Sequence, residues 1–306
     1  MPLPSYQIVC APDSAEEIAK LADRTLRIAG AKATLPTPID ELLRGAKIKD
    51  ESNTEGSIKG FITSLNQQGR AIFAATLQKV RGIADLREQA IYVPADTRTR
   101  ERFAKAHELG HQKIPWHHIG AAGSVRIYRD DDYSLSPEVK DLFDIEANFF
   151  AAEVIFQGKD FTRRARDYRP SFEAVFTLAD QHGASRQATL RRYVEEQDEL
   201  LLALSYLPSR FDIDRQGRSV LRAPRFFPSA KFIQSYGDVQ FPTELRSDHP
   251  WAEARDLQEI CEGDIDLDCG GRRVRFWWQA WWNTYTLLVL LRRRPSLSLV
   301  GRILRP

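Results

Sequence analysis

One short segment constrains this chain more than any other: His107-Glu108-Leu109-Gly110-His111. Two histidines four residues apart on a helix project from one face, at the spacing that a single Zn²⁺ needs from two neutral nitrogen ligands. Glu108 lies on the adjoining strip, where its carboxylate can take a proton from a water that the metal activates. The pattern predicts a hydrolytic metal site. The competing interpretation is a buried helix that carries two hydrogen-bonded histidines.

The surrounding sequence favours a helix. Asp96, Thr97 and Thr99 are N-cap candidates, and Pro115 marks the end of the predicted helix. Glycine inside a helix costs about 1 kcal/mol relative to alanine. We therefore expect a close neighbour beside Gly110, such as a strand or the helix that brings a third ligand.

A catalytic zinc site needs three protein ligands and an open position. The third ligand is expected on a second helix, which spans residues 136–154 and starts at Ser136-Pro137. Glu146 and Glu153 lie seven residues and about 10 Å apart on one face of that helix, so only one can reach the metal. Glu146 is the predicted ligand because the small side chains of Ala147 and Ala151 leave space around it. Glu153 is either a residue that holds the second ring nitrogen of a histidine or a plain surface or cap residue.

The segment after Pro115 leaves several roles open. His117 and His118 can each be a ligand, a proton donor or a surface residue. The long loop that follows contains the acidic run Asp130–Asp132, which is solvated surface or one wall of a substrate cleft. An electrophilic helper for catalysis has four candidates in this region: His117, His118, Arg126 and Tyr128.

Two segments together resemble the ImmA/IrrE family of metallo-endopeptidases: residues 102–111, RFAKAHELGH, and residues 145–153, IEANFFAAE. The resemblance implies that His107 and His111 bind zinc, that Glu108 is the general base and that Glu146 is the third ligand. It also implies a protein substrate, because members of this family cleave a helix-turn-helix repressor and so relieve repression after stress or in mobile elements.

The resemblance covers about residues 10–200 and has two departures. The gap between the two motifs carries an extra acidic loop, and the sequence VIFQ at 154–157 replaces the family's usual Leu-Leu-Met-Pro-like ending. Neither departure involves a predicted ligand, so the departures bear on the predicted substrate more than on the predicted chemistry.

Ahead of the motif, the sequence predicts two helices and a small sheet. The first helix covers residues 13–30 with Asp13 or Ser14 as its cap, and the second runs from Thr37-Pro38 to Gly45. Strands are predicted at 56–66, 71–80 and 90–93.

A helix-turn-helix-like pair is predicted at 171–197, with a first helix at 172–181 and a second helix capped by Ser185. The second helix carries Arg186, Arg191 and Arg192, which could contact DNA in the major groove or a partner protein. The alternative is a helical pair that packs on the protease and positions its substrate.

Residues 201–306 differ in composition and predict a separate mainly β or α+β domain, with a possible sensor or interaction role. Its clearest element is a Trp-rich hairpin at 274–291 with a turn at Asn283-Thr284; an interfacial membrane segment is the alternative. Cys261 and Cys269 match no common zinc spacing and are expected to be structural thiols.

Composition is that of an ordinary globular protein: 306 residues, 42% hydrophobic and 28% charged. A formal charge of +2 provides no overall field that favours nucleic acid. Three scattered cysteines form no disulfide framework, and the N-terminus does not read as a secretory signal, so we expect a reduced, cytoplasmic protein.

The expected fold is α+β: an HExxH metalloprotease-like core at 1–160, a helix-turn-helix-like segment at 161–200 and a C-terminal mainly β domain at 201–306. The expected function is that of a zinc-dependent endopeptidase with one Zn²⁺ per chain, acting on a helix-turn-helix repressor. The alternative is a DNA-binding or toxin–antitoxin-type interaction protein with a non-catalytic protease-like core.

Overall fold

The computed structural model describes residues 10–50, 83–85, 89–93, 97–118, 127–128, 137–237, 239 and 241–293. Six predicted features lie outside these ranges: the strands at 56–66 and 71–80, the acidic run Asp130–Asp132, the cap candidates Asp96 and Ser136, and the helper candidate Arg126. The chain divides into two compact units. The first is Met1–Phe161 with Asp180–Ser185, and the second is Thr162–Ala179 with Arg186–Pro306.

The first unit opens with the two predicted helices, α1 (Pro12–Ile28) and α2 (Ile39–Gly45). The N-cap of α1 is Ala11 and makes no side-chain capping bond, so the predicted caps Asp13 and Ser14 lie inside the first turn. The proline at the start of the helix explains this shift, because proline suits the first helical position, where no backbone N–H is needed. In α2, Pro38 occupies the N-cap.

A small four-stranded sheet follows, in the order β1-β3-β2-β4. Its strands are β1 (Lys49–Asp50), β2 (Ile83–Asp85), β3 (Ala90–Tyr92) and β4 (Ile127–Tyr128). β1 pairs with β3 in parallel, and the β2–β3 and β2–β4 pairs are antiparallel. The next element in the order after β3 is the helix that carries the histidine motif.

Two helices form the centre of this unit: α3 (Arg98–Lys113) and α4 (Pro137–Phe156). The N-cap of α3 is Thr97, whose side-chain oxygen accepts a hydrogen bond from the backbone N–H of Arg100 at 3.4 Å. This confirms one of the three cap candidates. A 3₁₀ helix, Pro115–His118, follows α3 after a single residue.

The two helices approach closely at Gly110. A Cβ at this position would lie 3.2 Å from Cδ1 of Phe150 and 3.3 Å from the Cα and carbonyl oxygen of Ala147. The close neighbour predicted from the sequence is therefore α4. The glycine sets how closely the two helices pack, and thereby which residues of α4 reach the histidines.

We expect Gly110→Val to lower the free energy of unfolding by about 3 kcal/mol, because its side chain collides with the backbone of α4. Gly110→Ala is expected to change it by less than about 1 kcal/mol, since the helix propensity of alanine offsets the tight contact. Urea unfolding measures both values. Gly45→Ala is the control, because its Cβ meets only Ala29, at an ordinary 3.6 Å. An unchanged midpoint for Gly110→Val would contradict this packing.

An ion cluster around the buried Lys105 joins α3 to the elements before it. The ammonium nitrogen of Lys105, a residue that is 4% exposed, lies 2.6 Å from a carboxylate oxygen of Asp50, 2.7 Å from one of Glu101 and 3.0 Å from one of Asp40. Three acidic partners compensate the cost of burying one cation. The cluster ties α3 to α2 and β1.

Three short helices continue the chain: α5 (Lys159–Ala165), α6 (Phe172–His182) and α7 (Arg186–Glu195). The pair α6 and α7 lies where the helix-turn-helix-like segment is predicted. A glycine with positive φ, Gly183, stands in the connection between them, as is common after a helix end.

The second unit contains a six-stranded antiparallel sheet in the order β7-β6-β5-β10-β9-β8. Its strands are β5 (Leu201–Ile213), β6 (Ser219–Pro228), β7 (Glu244–Leu245), β8 (Cys261–Asp268), β9 (Arg273–Trp282) and β10 (Leu287–Arg293). Two short helices, α8 (Ala230–Tyr236) and α9 (Glu253–Leu257), and a 3₁₀ turn at Pro250–Ala252 complete it. An α+β fold with a C-terminal β domain is thereby confirmed.

The Trp-rich stretch forms the predicted hairpin. Leu287 pairs with Trp282 across a short turn, and the ladder continues to the pair Arg293–Phe276. Side chains of β9 and β10 pack into a core with Trp251 and Tyr206. Among the described residues, no helix is long and apolar enough to cross a membrane.

Candidate metal centre

The helix α3 carries three chemically active side chains at the predicted spacing. His107 is 5% exposed, Glu108 is 3% exposed and His111 is 2% exposed. The stretch from Ala104 to His111 is buried throughout. Burial of two imidazoles and a carboxylate is costly, so each needs compensating contacts.

The two histidines point the same ring nitrogen at each other. Nε2 of His107 lies 3.1 Å from Nε2 of His111. On the other side of the first ring, Nδ1 of His107 lies 3.1 Å from the side-chain oxygen of Asn148 on α4. That oxygen accepts a hydrogen bond from Nδ1–H, which leaves the lone pair of the neutral ring on Nε2.

This arrangement fits a zinc ion. Two nitrogen ligands at about 2.0–2.1 Å in a tetrahedral site lie about 3.3 Å apart, close to the observed separation. A partner on the second ring nitrogen is also what zinc-binding histidines normally have. The donor set therefore suits a divalent metal.

A carboxylate on α4 completes the group. Oδ1 of Asp144 lies 3.7 Å from Nε2 of His111. One ligand atom from each of Asp144, His107 and His111 lies within 4.8 Å of the others. Two histidines and one carboxylate form a common ligand set of catalytic zinc sites.

Glu146, the third ligand predicted from the sequence, lies elsewhere. Its Oε2 accepts a hydrogen bond from the indole N–H of Trp116 at 2.6 Å and lies 2.9 Å from Nε2 of His117. At 100° per residue, Glu146 points about 200° away from Asp144 around the axis of α4. Asp144 and Asn148, four residues apart, share the face that meets the histidines.

Sequence reasoning missed Asp144 and Asn148, although a signal was present. Ala147 and Ala151 lie on the same face as these two residues. The small side chains that were expected to surround Glu146 therefore lie beside Asp144. The contact of Gly110 with Ala147 confirms which face of α4 meets α3.

Glu153 is 8% exposed, so it is not a plain surface residue. Its Oε2 lies 2.9 Å from the position of a Cβ on Gly158, beyond the end of α4. Glu153 is about 14 Å from Asp144 along the helix axis. The second ring nitrogens that it was expected to hold have other partners, Asn148 and His117.

The two histidines of the 3₁₀ helix differ in their surroundings. His117 is completely buried, and its Nδ1 lies 3.0 Å from Nδ1 of His111. His118 is exposed and places Nε2 within 3.1 Å of the carbonyl oxygens of His111 and Gln112, where it caps the end of α3. Of the other helper candidates, Arg126 lies outside the described residues and only the backbone of Tyr128 is described.

Burial favours the neutral imidazole at His111 and at His117. The pKa of His111 is held well below its usual value by burial first and then by the positive charge that His107, His117 and His118 can carry. Burial also lowers the pKa of His117, although its bond to Glu146 acts in the opposite direction. Neutral imidazole is the form that binds metal.

The three arginines of α7 are engaged within their own unit. The guanidinium of Arg186 lies 4.2 Å from the ring centre of Phe176 and 5.0 Å from that of Trp281. Arg191 pairs with Glu195 at 2.9 Å, and Arg192 pairs with Glu196 at 3.1 Å. Cation–π and ion-pair contacts of this kind hold the guanidinium groups against the protein.

Comparison with known proteins identifies the segment that carries this site. Residues 73–193 match a peptidase family model described as the IrrE N-terminal-like domain. The fold is similar to that of a Mycobacterium tuberculosis transcriptional regulator, with a TM-score of 0.50 and 11% identity over 91% of this chain and 76% of the other. No curated protein sequence matches the chain. The segment that carries this site, residues 73–193, is thus similar to the IrrE N-terminal-like domain of a peptidase family.

Proposed function

We propose that this chain is a zinc-dependent endopeptidase. The observation that carries the proposal is the convergence, in a buried site, of the Nε2 atoms of His107 and His111 with the carboxylate of Asp144. Glu108 stands on the same helix beside this group and is buried with it. The match of residues 73–193 to a peptidase family model supports the same proposal.

The residues divide into two roles. His107, His111 and Asp144 would hold the metal, and zinc at such a site supplies an activated water and a Lewis acid for a peptide carbonyl. The carboxylate of Glu108 accepts the proton of the attacking water and delivers it to the amine nitrogen that leaves when the peptide bond breaks. Exclusion of bulk water around this buried group strengthens these electrostatic effects.

The proposed substrate is a helix-turn-helix transcriptional repressor, cleaved in a stress response or in the control of a mobile element. Support comes from the family of residues 73–193, whose members the sequence resembles in both of its motifs. Cleavage of a repressor converts a single hydrolytic event into a lasting change of transcription, because the cut chain must be replaced by synthesis.

A DNA-binding role receives less support. Neutralisation of phosphates requires free cationic side chains. Arg186, Arg191 and Arg192 instead contact aromatic rings or carboxylates of their own unit.

The test is metal-dependent cleavage. Purified chain is analysed for bound metal by mass spectrometry and then incubated with a helix-turn-helix repressor encoded beside it, with new N-termini mapped in the products. We expect about one zinc per chain, cleavage at defined sites, loss of cleavage with a chelator and recovery on adding zinc. The His111→Ala chain is the control. Absence of bound metal, even after zinc is added, would overturn the proposal.

A further inference from the structure

A chain of three buried side chains leads away from the metal-facing histidine. Oε2 of Glu146 lies 2.9 Å from Nε2 of His117, and Nδ1 of His117 lies 3.0 Å from Nδ1 of His111. Glu146 is 2% exposed and His117 is 0% exposed. The large majority of polar groups buried to this degree make hydrogen bonds.

The donors and acceptors along this chain follow from its acidic end. The indole N–H of Trp116 can only donate, so Oε2 of Glu146 is an acceptor, and it also accepts from Nε2–H of His117. A neutral imidazole carries one proton, so Nδ1 of His117 then accepts. The proton between the two histidines must belong to Nδ1 of His111, whose lone pair is left on Nε2.

His107 reaches the same state by a shorter route. Its Nδ1 donates to the side-chain oxygen of Asn148, which also leaves a lone pair on Nε2. The two lone pairs are therefore presented 3.1 Å apart. Each histidine is held in one tautomer by a partner from outside α3.

His117 itself is not in a position to bind the same metal. It contacts Nδ1 of His111, whereas the metal-facing atom of that ring is Nε2 on its opposite side. Phe143 stacks against the His117 ring with 4.3 Å between the ring centres. The packing fixes the plane of the ring that accepts the proton.

We propose that His117 and Glu146 are positioning residues that hold His111 in its metal-binding tautomer and so raise the metal affinity of the site. This inference rests on the proposed function. Partners of metal-bound histidines typically contribute a factor of 10–100 in affinity. Here the partner is a second histidine, which is in turn oriented by a carboxylate.

The test is zinc affinity, measured by competition with a chromophoric chelator. We expect His117→Leu to weaken zinc binding by about 10–100-fold, because leucine removes the acceptor for Nδ1–H of His111. In His117→Asn, the side-chain oxygen takes the place of Nδ1 and can accept the hydrogen bond from Nδ1–H of His111. We therefore expect this variant to lose less than about a third of the zinc-binding free energy that His117→Leu loses. His249→Asn exchanges a histidine of the second unit, where it is the N-cap of a 3₁₀ turn, and is expected to leave the affinity unchanged.

Each outcome separates the two proposals. If wild-type protein binds zinc and His117→Leu binds it as tightly, the positioning role is wrong and the proposed function stands. If His117→Asn and His117→Leu weaken zinc binding equally while both variants melt like wild type, the hydrogen bond is not the cause and the inference is overturned. If wild-type protein binds no zinc, both proposals fail.

Discussion

Glu108→Gln is expected to lower the rate of proteolysis by about 10²–10⁴-fold while zinc stays bound. General acid–base catalysis contributes a factor of this size, and glutamine cannot accept the proton of the attacking water. The substitution conserves shape at a residue that is 3% exposed, so the helix is expected to keep its packing. Initial rates of repressor cleavage and the zinc content of the same preparation measure the two effects together.

The matched control for this variant is Glu101→Gln, the same exchange two turns earlier on α3. Glu101 is one of three carboxylates around Lys105 and takes no part in the metal site, so we expect its rate of cleavage to equal that of wild type. An active Glu108→Gln enzyme would refute the role of Glu108 as general base. Loss of zinc from that variant would show instead that Glu108 holds the metal.

Asp144→Asn is expected to weaken zinc binding roughly a hundredfold, and Glu146→Gln by less than about tenfold. Structural sites with four ligands bind zinc with a free energy of about 10–16 kcal/mol, or about 3 kcal/mol for each ligand. A loss of about 3 kcal/mol corresponds to an affinity roughly a hundredfold lower. Glutamine at 146 retains an oxygen that can accept from both Trp116 and His117, whereas asparagine at 144 loses the anionic ligand.

The same pair of variants decides between the two carboxylates. Both substitutions conserve shape, so a difference in affinity reports the ligand and not the packing. Chelator competition gives both dissociation constants, and thermal melting shows that both chains fold. The reverse order, with Glu146→Gln the weaker binder, would restore Glu146 as the third ligand and refute the assignment to Asp144.

Several features could be predicted from the sequence because they depend on local chemistry. The spacing of His107 and His111 places both rings on one face of any helix, and Thr97 provides the cap that begins this helix. Glycine within the motif predicted a close neighbour, which is α4. The two β-rich runs around Asn283-Thr284 predicted a hairpin, and β9 and β10 pair as expected. Each of these depends on residues close together in the chain.

The choice of carboxylate did not depend on local chemistry. Asp144 and Glu146 stand two residues apart on one helix, and both are acidic. Which of them reaches the histidines depends on how α4 is rotated against α3, and that rotation follows from the packing of Gly110 against Ala147 and Phe150. The rotation of α4 is therefore determined by contacts between residues that are distant in sequence.

The sequence by itself therefore determined the chemistry of the helix α3: two histidines on one face, a carboxylate beside them and a glycine where another helix must pass. The tertiary structure decided which partners those groups meet. It brings Asp144 and Asn148 to the histidines and directs Glu146 to His117. The physical reason is that side-chain spacing along a helix is fixed by its 3.6-residue turn, whereas the rotation of one helix against another depends on packing across the whole core.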